Sequence, residues 1–319
     1  MLQWEGSEGD PRRVVAPAVH AALGNAVASV RAAAPPAALE LIRLREASLL
    51  GFTAELAAPA WGDISADQAG SLATWSSAPW FDEADRVALA LGEQFAIDVT
   101  GVASGPLPAA AATYGASVLP LVQGIFLIDV GQRCAKALGQ LFGTSVTSAD
   151  WAAAGADTAV DPDSMAAVGV LLRETAKLST LDPVLRELVR LRGAHHHQCR
   201  RCQSVRSVAA IEAGADEQLL AATRPGAVQA LSERQHTALL LTDAVLLGTV
   251  EFTDDLMSRV RAEFTAIEAV ELICYLMRNS ANKIAVAFGA DAAIVDEGFE
   301  YQSIDVDGET LTVEAPASR

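Results

Sequence analysis

Three stretches of this 319-residue chain come back later in the same order, and that duplication limits the fold more than any other feature. "LELIRLREA" at 39–47 returns as "LRELVRLRGA" at 185–194, with Glu40 matching Glu187. "FDEADRVALALGEQF" at 81–95 returns as "LSERQHTALLLTDAV" at 231–245. "VLPLVQGIFLIDVGQRCAKALG" at 118–139 returns as "IEAVELICYLMRNSANKIAVAFG" at 267–289. A unit of about 150 residues has the length of one ordinary domain, so the chain must solve its packing with one set of elements used twice.

Those elements are helices. Alanine and leucine are abundant, aromatic residues make up only 5%, and β-branched runs are short, a balance that favours packed helices over sheets. Ser232 with Gln235, and Thr265 with Glu268, form capping boxes ahead of apolar periodic runs. Asp182 before Pro183 reads as an N-cap and first-turn proline. Gly139 and Gly289 are placed to close equivalent helices with left-handed caps. "HTALLLTDAVLL" is apolar around most of its circumference and predicts a buried helix. We therefore expect an all-α chain of two tandem helical bundles, residues 1–145 and 160–292. A linker is expected near 143–164, where small and acidic residues replace the pattern. A tail at 293–319 follows, in which "YQSIDVDGETLTV" alternates around Asp307-Gly308, the signal for a two-residue β-hairpin.

Charge and hydropathy narrow the partners. The formal net charge is −17, and only three of the 23 basic residues are lysines, so nucleic-acid binding is not expected. "MLQWEGSEGDPRR" lacks the apolar core of a signal peptide. "SVLPLVQGIFLIDVG" is broken by Pro120, Gln123, Gly124 and Asp129 and reads as too short to cross a bilayer. The expectation is a soluble cytoplasmic protein, without membrane partners, in a compartment that keeps thiols reduced.

Chemistry concentrates in "HHHQCRRC", residues 195–202. Cys134 and Cys274 lie in apolar helical runs and read as small buried hydrophobes. Cys199 and Cys202, two residues apart, can close and open a disulfide with little backbone change. Arg186, Arg190, Arg192, Arg200, Arg201 and Arg206 crowd this stretch against one acid, Glu187, and positive charge favours thiolate over thiol. A helix beginning at Cys199 would add its N-terminal dipole. On one unbroken helix, by contrast, His195, Cys199 and Cys202 would form a stripe of zinc-compatible ligands, though no fourth ligand is evident and the arginines oppose a cation.

The segment "RELVRLRGAHHHQCRRCQSVR" resembles the carboxymuconolactone decarboxylase-like superfamily, in particular its alkylhydroperoxidase AhpD-like branch. There a glutamate precedes a CxxC by twelve residues, as Glu187 precedes Cys199 here. "LSERQHTALLLTDAV" and "NSANKIAVAFGAD" also look like that family's following helices. The match covers about 181–292, and the first repeat resembles a worn AhpD-like copy in which the cysteine positions fall on Phe52 and Glu55. The family's histidine four residues past the second cysteine is Arg206 here, and an arginine cannot shuttle a proton.

The resemblance implies a thiol-dependent oxidoreductase of peroxidase type, needing no cofactor. Cys202 would attack a peroxide or other oxidant, Cys199 would resolve the product to a disulfide, and a thiol reductant would restore both. Helix-dipole reasoning alone would make Cys199 the nucleophile. Glu187 would act as base or water-orienting group, Arg206 as electrostatic support, and His197 is a candidate for the missing relay. The resemblance also implies a homo-oligomer, a trimer or dimer. Two alternatives remain: a lyase or isomerase on a small carboxylated substrate gripped by the arginines, and a non-catalytic helical assembly protein with a zinc-bound or relic CxxC.

Overall fold

The computed structural model describes residues 4, 9–154, 160–227, 231–247 and 252–316. Most of "MLQWEGSE" and the middle of the expected linker lie outside the described residues. The first repeat consists of Pro17–Ala33 (α1), Pro36–Leu49 (α2), Glu83–Ile97 (α3), Leu107–Tyr114 (α4) and Val118–Phe142 (α5). The second consists of Ser164–Ala176 (α6), Pro183–His196 (α7), Glu233–Leu247 (α8), Asp254–Glu263 (α9) and Ala266–Ser280 (α10), continued by Asn282–Ala287 (α11). Shorter helical turns are named by their residues.

The local signals act where the sequence places them. Asp182 accepts from the Leu185 N–H at 2.8 Å, Thr265 and Glu268 close a reciprocal capping box, and Ser232 and Gln235 do the same. One cap differs: α5 runs past Gly139, and Gly143, at φ +64°, supplies the left-handed turn. Gly139 lies inside the helix, and a Cβ there would stand 2.9 Å from the Thr144 carbonyl oxygen, so the close approach of the chain after the cap is what favours glycine at this position.

The two repeats share one interior. α1 lies along α6, and α5 along α10, so equivalent helices meet their own counterparts as in a self-complementary interface. Leu23, Val27, Phe126 and Leu138 from the first repeat join Leu171, Ile273 and Leu276 from the second in one continuous cluster. Each such side chain contributes roughly 1.5–3 kcal/mol on burial. The expected linker is partly core: Trp151, in the turn Ser148–Ala154, is fully buried against Gly131. By length and composition Leu107–Phe142 would span a bilayer, a longer stretch than the sequence suggested. In this fold α5 is instead the central packed helix, buried along nearly all of Leu121–Phe142.

Charge is buried at the seam as well. Asp129 on α5 accepts from Arg133 at 2.6 Å and from Lys283 of α11. Lys283, the second repeat's counterpart of Arg133, also lies 4.5 Å from the Phe95 ring centroid.

A small sheet completes the molecule. Val205–Ser207 (β1) pairs parallel with Glu300–Ile304 (β2), and β2 pairs antiparallel with Thr310–Val313 (β3). The hairpin is present, but its loop is longer than two residues. Ile304 pairs with Thr310, and Asp305 N–H then reaches Glu309 at 3.0 Å. Gly308, at φ +80°, comes so near α6 that a Cβ would stand 2.3 Å from the Arg173 carbonyl oxygen.

One buried ion cluster stands in the first repeat at the places that match Glu187, Arg190 and Cys202. Arg43 donates to both oxygens of Glu40 at 2.8 Å, and to the Glu55 carbonyl and carboxylate at 2.7 and 2.6 Å. Glu55 in turn accepts from Ser148. Glu40, Arg43 and Glu55 are all at most 2% exposed, so removing one partner strands a buried charge. Arg43→Met is expected to cost about 3–5 kcal/mol of folding stability, measured by urea unfolding. A loss below about 1 kcal/mol would mean that the cluster is no clamp.

Candidate active site

The CxxC turn exists because α7 stops. Gln198 takes φ +51°, the one non-glycine residue with a left-handed backbone among those described. The strand-like Cys199 that follows caps the turn Arg200–Gln203. The break separates the histidines. His195 lines a different cavity, with Gln203, Arg206, Glu217 and Arg224, and His196 bonds Asp243 on α8 at 2.7 Å. The stripe of His195, Cys199 and Cys202 needed for a zinc site is therefore not assembled. Among the described residues no three His, Cys, Asp or Glu side chains gather as a metal-binding set.

The turn is held by a bridge matching the one in the first repeat. Arg190 donates from Nε and Nη2 to Glu187 at 2.7 Å, from Nη1 to the Cys202 carbonyl at 2.8 Å, and from Nη2 to the Val205 carbonyl at 2.8 Å. Arg43 makes the same contacts to Glu40 and to the carbonyl of Glu55, the residue at the cysteine's place. The Ser207 N–H adds a bond to Glu187 at 3.2 Å. Opposite, Asp291 takes the N–H groups of Arg200 and Arg201 on its carboxylate and carbonyl, at 3.0 and 2.9 Å.

Both cysteines are free thiols. Cys199 is 1% exposed, whereas Cys202 opens on a cavity of about 500 Å³ with Arg190, Arg201, Arg278 and Asn279. The Cys202 N–H points at the Cys199 sulfur at 3.2 Å, and Asn282 Nδ2 donates to the Cys202 sulfur at 3.5 Å. The hydrogen bond from Cys199, followed by that of Asn282 and the charges of Arg190 and Arg201, outweighs burial and pulls the Cys202 thiol down to about 6. Cys199 moves the opposite way, because it keeps the shared proton and is buried. Cys134 and Cys274 are buried in the seam, which pushes both thiols up to about 12 and leaves them inert.

His197 supports this arrangement from behind. Burial, with help from Lys283, pushes it down to about 3, so the ring is neutral. Its Nδ1 meets Asn282 Oδ1 at 2.8 Å. A proton on Nδ1 turns the Asn282 oxygen toward the ring and its NH₂ toward the sulfur.

The arginines are placed differently from the expectation. Arg192 pairs with Asp243, Arg200 with Asp291, and Arg206 with Glu217 at 2.6 Å, with Phe299 under its guanidinium. Arg206 therefore stands outside the sulfur cavity and does not support the thiolate. Glu187 lines an adjoining cavity but gives its carboxylate to Arg190 and Ser207. None of the sequence motifs marks Asn282, Asp291 or Arg278; an asparagine within an apolar run of sequence was the available signal.

The model of the carboxymuconolactone decarboxylase family matches residues 162–244, which include Glu187 and both cysteines. An uncharacterized protein of Mycobacterium tuberculosis strain H37Rv is 34% identical over 230 residues, 72% of this chain and 81% of that protein. One from strain CDC 1551 matches to the same extent. No solved structure matches the chain.

Alkylation of Cys202 by iodoacetamide is expected to rise with pH through a midpoint near 6, against about 8.5 for an ordinary thiol. Asn282→Leu should raise that midpoint by about one unit, the loss of one hydrogen bond to a charged sulfur. Cys199→Ala should raise it further. A midpoint that neither substitution moves would refute the hydrogen-bond account.

Proposed function

The chain belongs to the carboxymuconolactone decarboxylase family, and on that footing we propose that it is a thiol oxidoreductase whose Cys199–Cys202 pair cycles between dithiol and disulfide while reducing a peroxide. The observation that carries this reading is the placing of the two sulfurs: Cys199 is buried and takes the Cys202 N–H, while Cys202 accepts from Asn282 and lines a cavity with Arg190 and Arg201. That setting favours ionisation of Cys202 over Cys199.

The reaction balances with these two residues. The Cys202 thiolate attacks the distal oxygen of the hydroperoxide; the O–O bond breaks, and a sulfenic acid and an alkoxide form. Cys199, hydrogen-bonded to the reacting sulfur, gives its proton to the alkoxide and becomes the thiolate that was lacking. It attacks the Cys202 sulfur and expels hydroxide, leaving the disulfide. The peroxide has taken two electrons, and a reduced dithiol or small thiol returns them. No relay histidine is needed at position 206, because the proton leaves from the sulfur that must ionise next. Glu187 and Arg190 act as positioning residues that fix the backbone of the turn, and His197 acts by orienting Asn282.

Reduced protein mixed with one equivalent of cumene hydroperoxide should lose two of its four thiols. The disulfide should map to Cys199 and Cys202, while Cys134 and Cys274 remain titratable. Cys199→Ser should stop at a sulfenic acid that dimedone traps, and Cys202→Ser should not react. If all four thiols survive peroxide in the native protein, the redox reading is wrong.

A further inference from the structure

Along the cavity of Cys202 and the one that adjoins it, Arg186, Arg201 and Arg278 have no carboxylate partner among the described residues, and Arg186 and Arg278 line the adjoining cavity together. Arg278 on α10 donates to the Leu172 carbonyl at 3.1 Å and the Thr310 hydroxyl at 3.2 Å, and its Nη1 stands 3.5 Å from Asn279 Oδ1. Arg186 on α7 donates to the Leu178 carbonyl at 3.1 Å and the Tyr275 hydroxyl at 2.9 Å, stacked over that ring. Every one of these partners is uncharged. Arg43, Arg133, Arg190, Arg192, Arg206 and Arg234, by contrast, each meet a carboxylate within 2.8 Å. In a chain of net charge −17, with 40 acidic residues available, two unpaired guanidiniums at one cavity mark a place that receives its anion from outside. Burial and the nearby Arg190 and Arg186 make the charge on Arg278 harder to keep, a cost that a bound anion relieves.

The space fits such a guest. The sulfur cavity adjoins a second one of about 410 Å³, and the two share Arg190, Val205, Arg278, Asn279, Gln302 and Thr310. Leu178, Pro183, Val208, Ala209 and Tyr275 give the second cavity apolar walls, and residues of the β2–β3 hairpin line both. The acids along these walls are otherwise engaged or peripheral. Glu187 is held by Arg190, Glu309 faces Arg173 at 3.3 Å, Asp305 caps the hairpin loop, and Glu212 is exposed.

We propose that the substrate is an organic hydroperoxide carrying a carboxylate, with Arg278 and Arg186 holding the carboxylate, the apolar walls holding the carbon chain, and the O–O bond presented to Cys202. This rests on the thiol reading of Cys202 and adds its substrate class. The chemistry is that given above, with the product alcohol keeping the carboxylate. Two arginines converging on one carboxylate provide charge-assisted, directional hydrogen bonds, and a single NH₂ of Arg278 must be surrendered by Thr310.

The test uses octanoate and octanol as non-reacting probes. Cys202 of the full chain is alkylated with iodoacetamide at increasing probe concentrations, each rate taken relative to the same protein without probe. Octanoate is expected to protect at concentrations at least tenfold below octanol. Arg278→Gln and Arg186→Gln should each weaken octanoate protection by about tenfold, the worth of one charge-assisted bond, while Arg278→Lys retains part of it. Calorimetric titration of octanoate reads the same affinities without the thiol, and thermal melts check that each variant is folded. Equal protection by octanoate and octanol, or protection by octanoate that survives both glutamine variants, overturns the proposal. A Cys202 midpoint near that of a free thiol, with octanoate binding intact, would instead remove the redox reading and leave the anion site standing.

Discussion

A glutamate–arginine pair one helical turn apart, clamped onto a backbone carbonyl from the next turn of chain, is the contact on which each half of this molecule is organised. Glu187 and Arg190 hold the carbonyl of Cys202, and Glu40 and Arg43 hold that of Glu55. The pair survives in the half that has no thiol, so its common work is to fix the chain after the second helix of the repeat. Two charges taken out of water are costly unless their hydrogen bonds are complete. Both guanidiniums meet that condition with carbonyl oxygens supplied by the segment they position. The CxxC turn is thus placed by the same electrostatics that stabilise the fold.

The lowering of the Cys202 thiol depends on shorter contacts. Crowded arginines are a weak means of lowering a thiol when each has its own acid, since a paired guanidinium presents little net field. Here most of them are paired away. The larger contributions to Cys202 are hydrogen bonds, first from Cys199 and then from Asn282, with Arg190 and Arg201 adding to them. The direction expected from the cationic stretch therefore appears, for a different main reason. That reason couples the two sulfurs, because the proton that stabilises one is the proton the other must release.

The seam between the repeats supplies the rest. Asn282 follows the point where the tenth helix gives way to the eleventh, while the equivalent helix of the first repeat continues unbroken for 25 residues. Gln132, at the matching place, spends its amide on the Arg43 carbonyl at 2.9 Å. Asn282 spends its own on a sulfur and a neutral histidine. Equivalent positions bond a helix carbonyl in one half and a cysteine sulfur in the other.

Much of this was legible in the residues alone: an all-α fold, most of the helix caps, a terminal hairpin, and the CxxC with the glutamate twelve residues before it. Those features are encoded over spans of three to fifteen residues, where periodicity and capping chemistry act directly. The end of α5 at Gly143, the five-residue hairpin loop, the placing of Arg206 on Glu217, and the gathering of Asn282, Arg278 and the hairpin around Cys202 were decided only by tertiary structure. Each joins or positions residues through packing between distant segments, and such closures depend on how helices stack and not on any local pattern. Residue types and spacings settled that a thiol pair would sit beside positive charge. Which charges remain unspent, and therefore what the site can bind, follows only once every acid in the fold has found its partner.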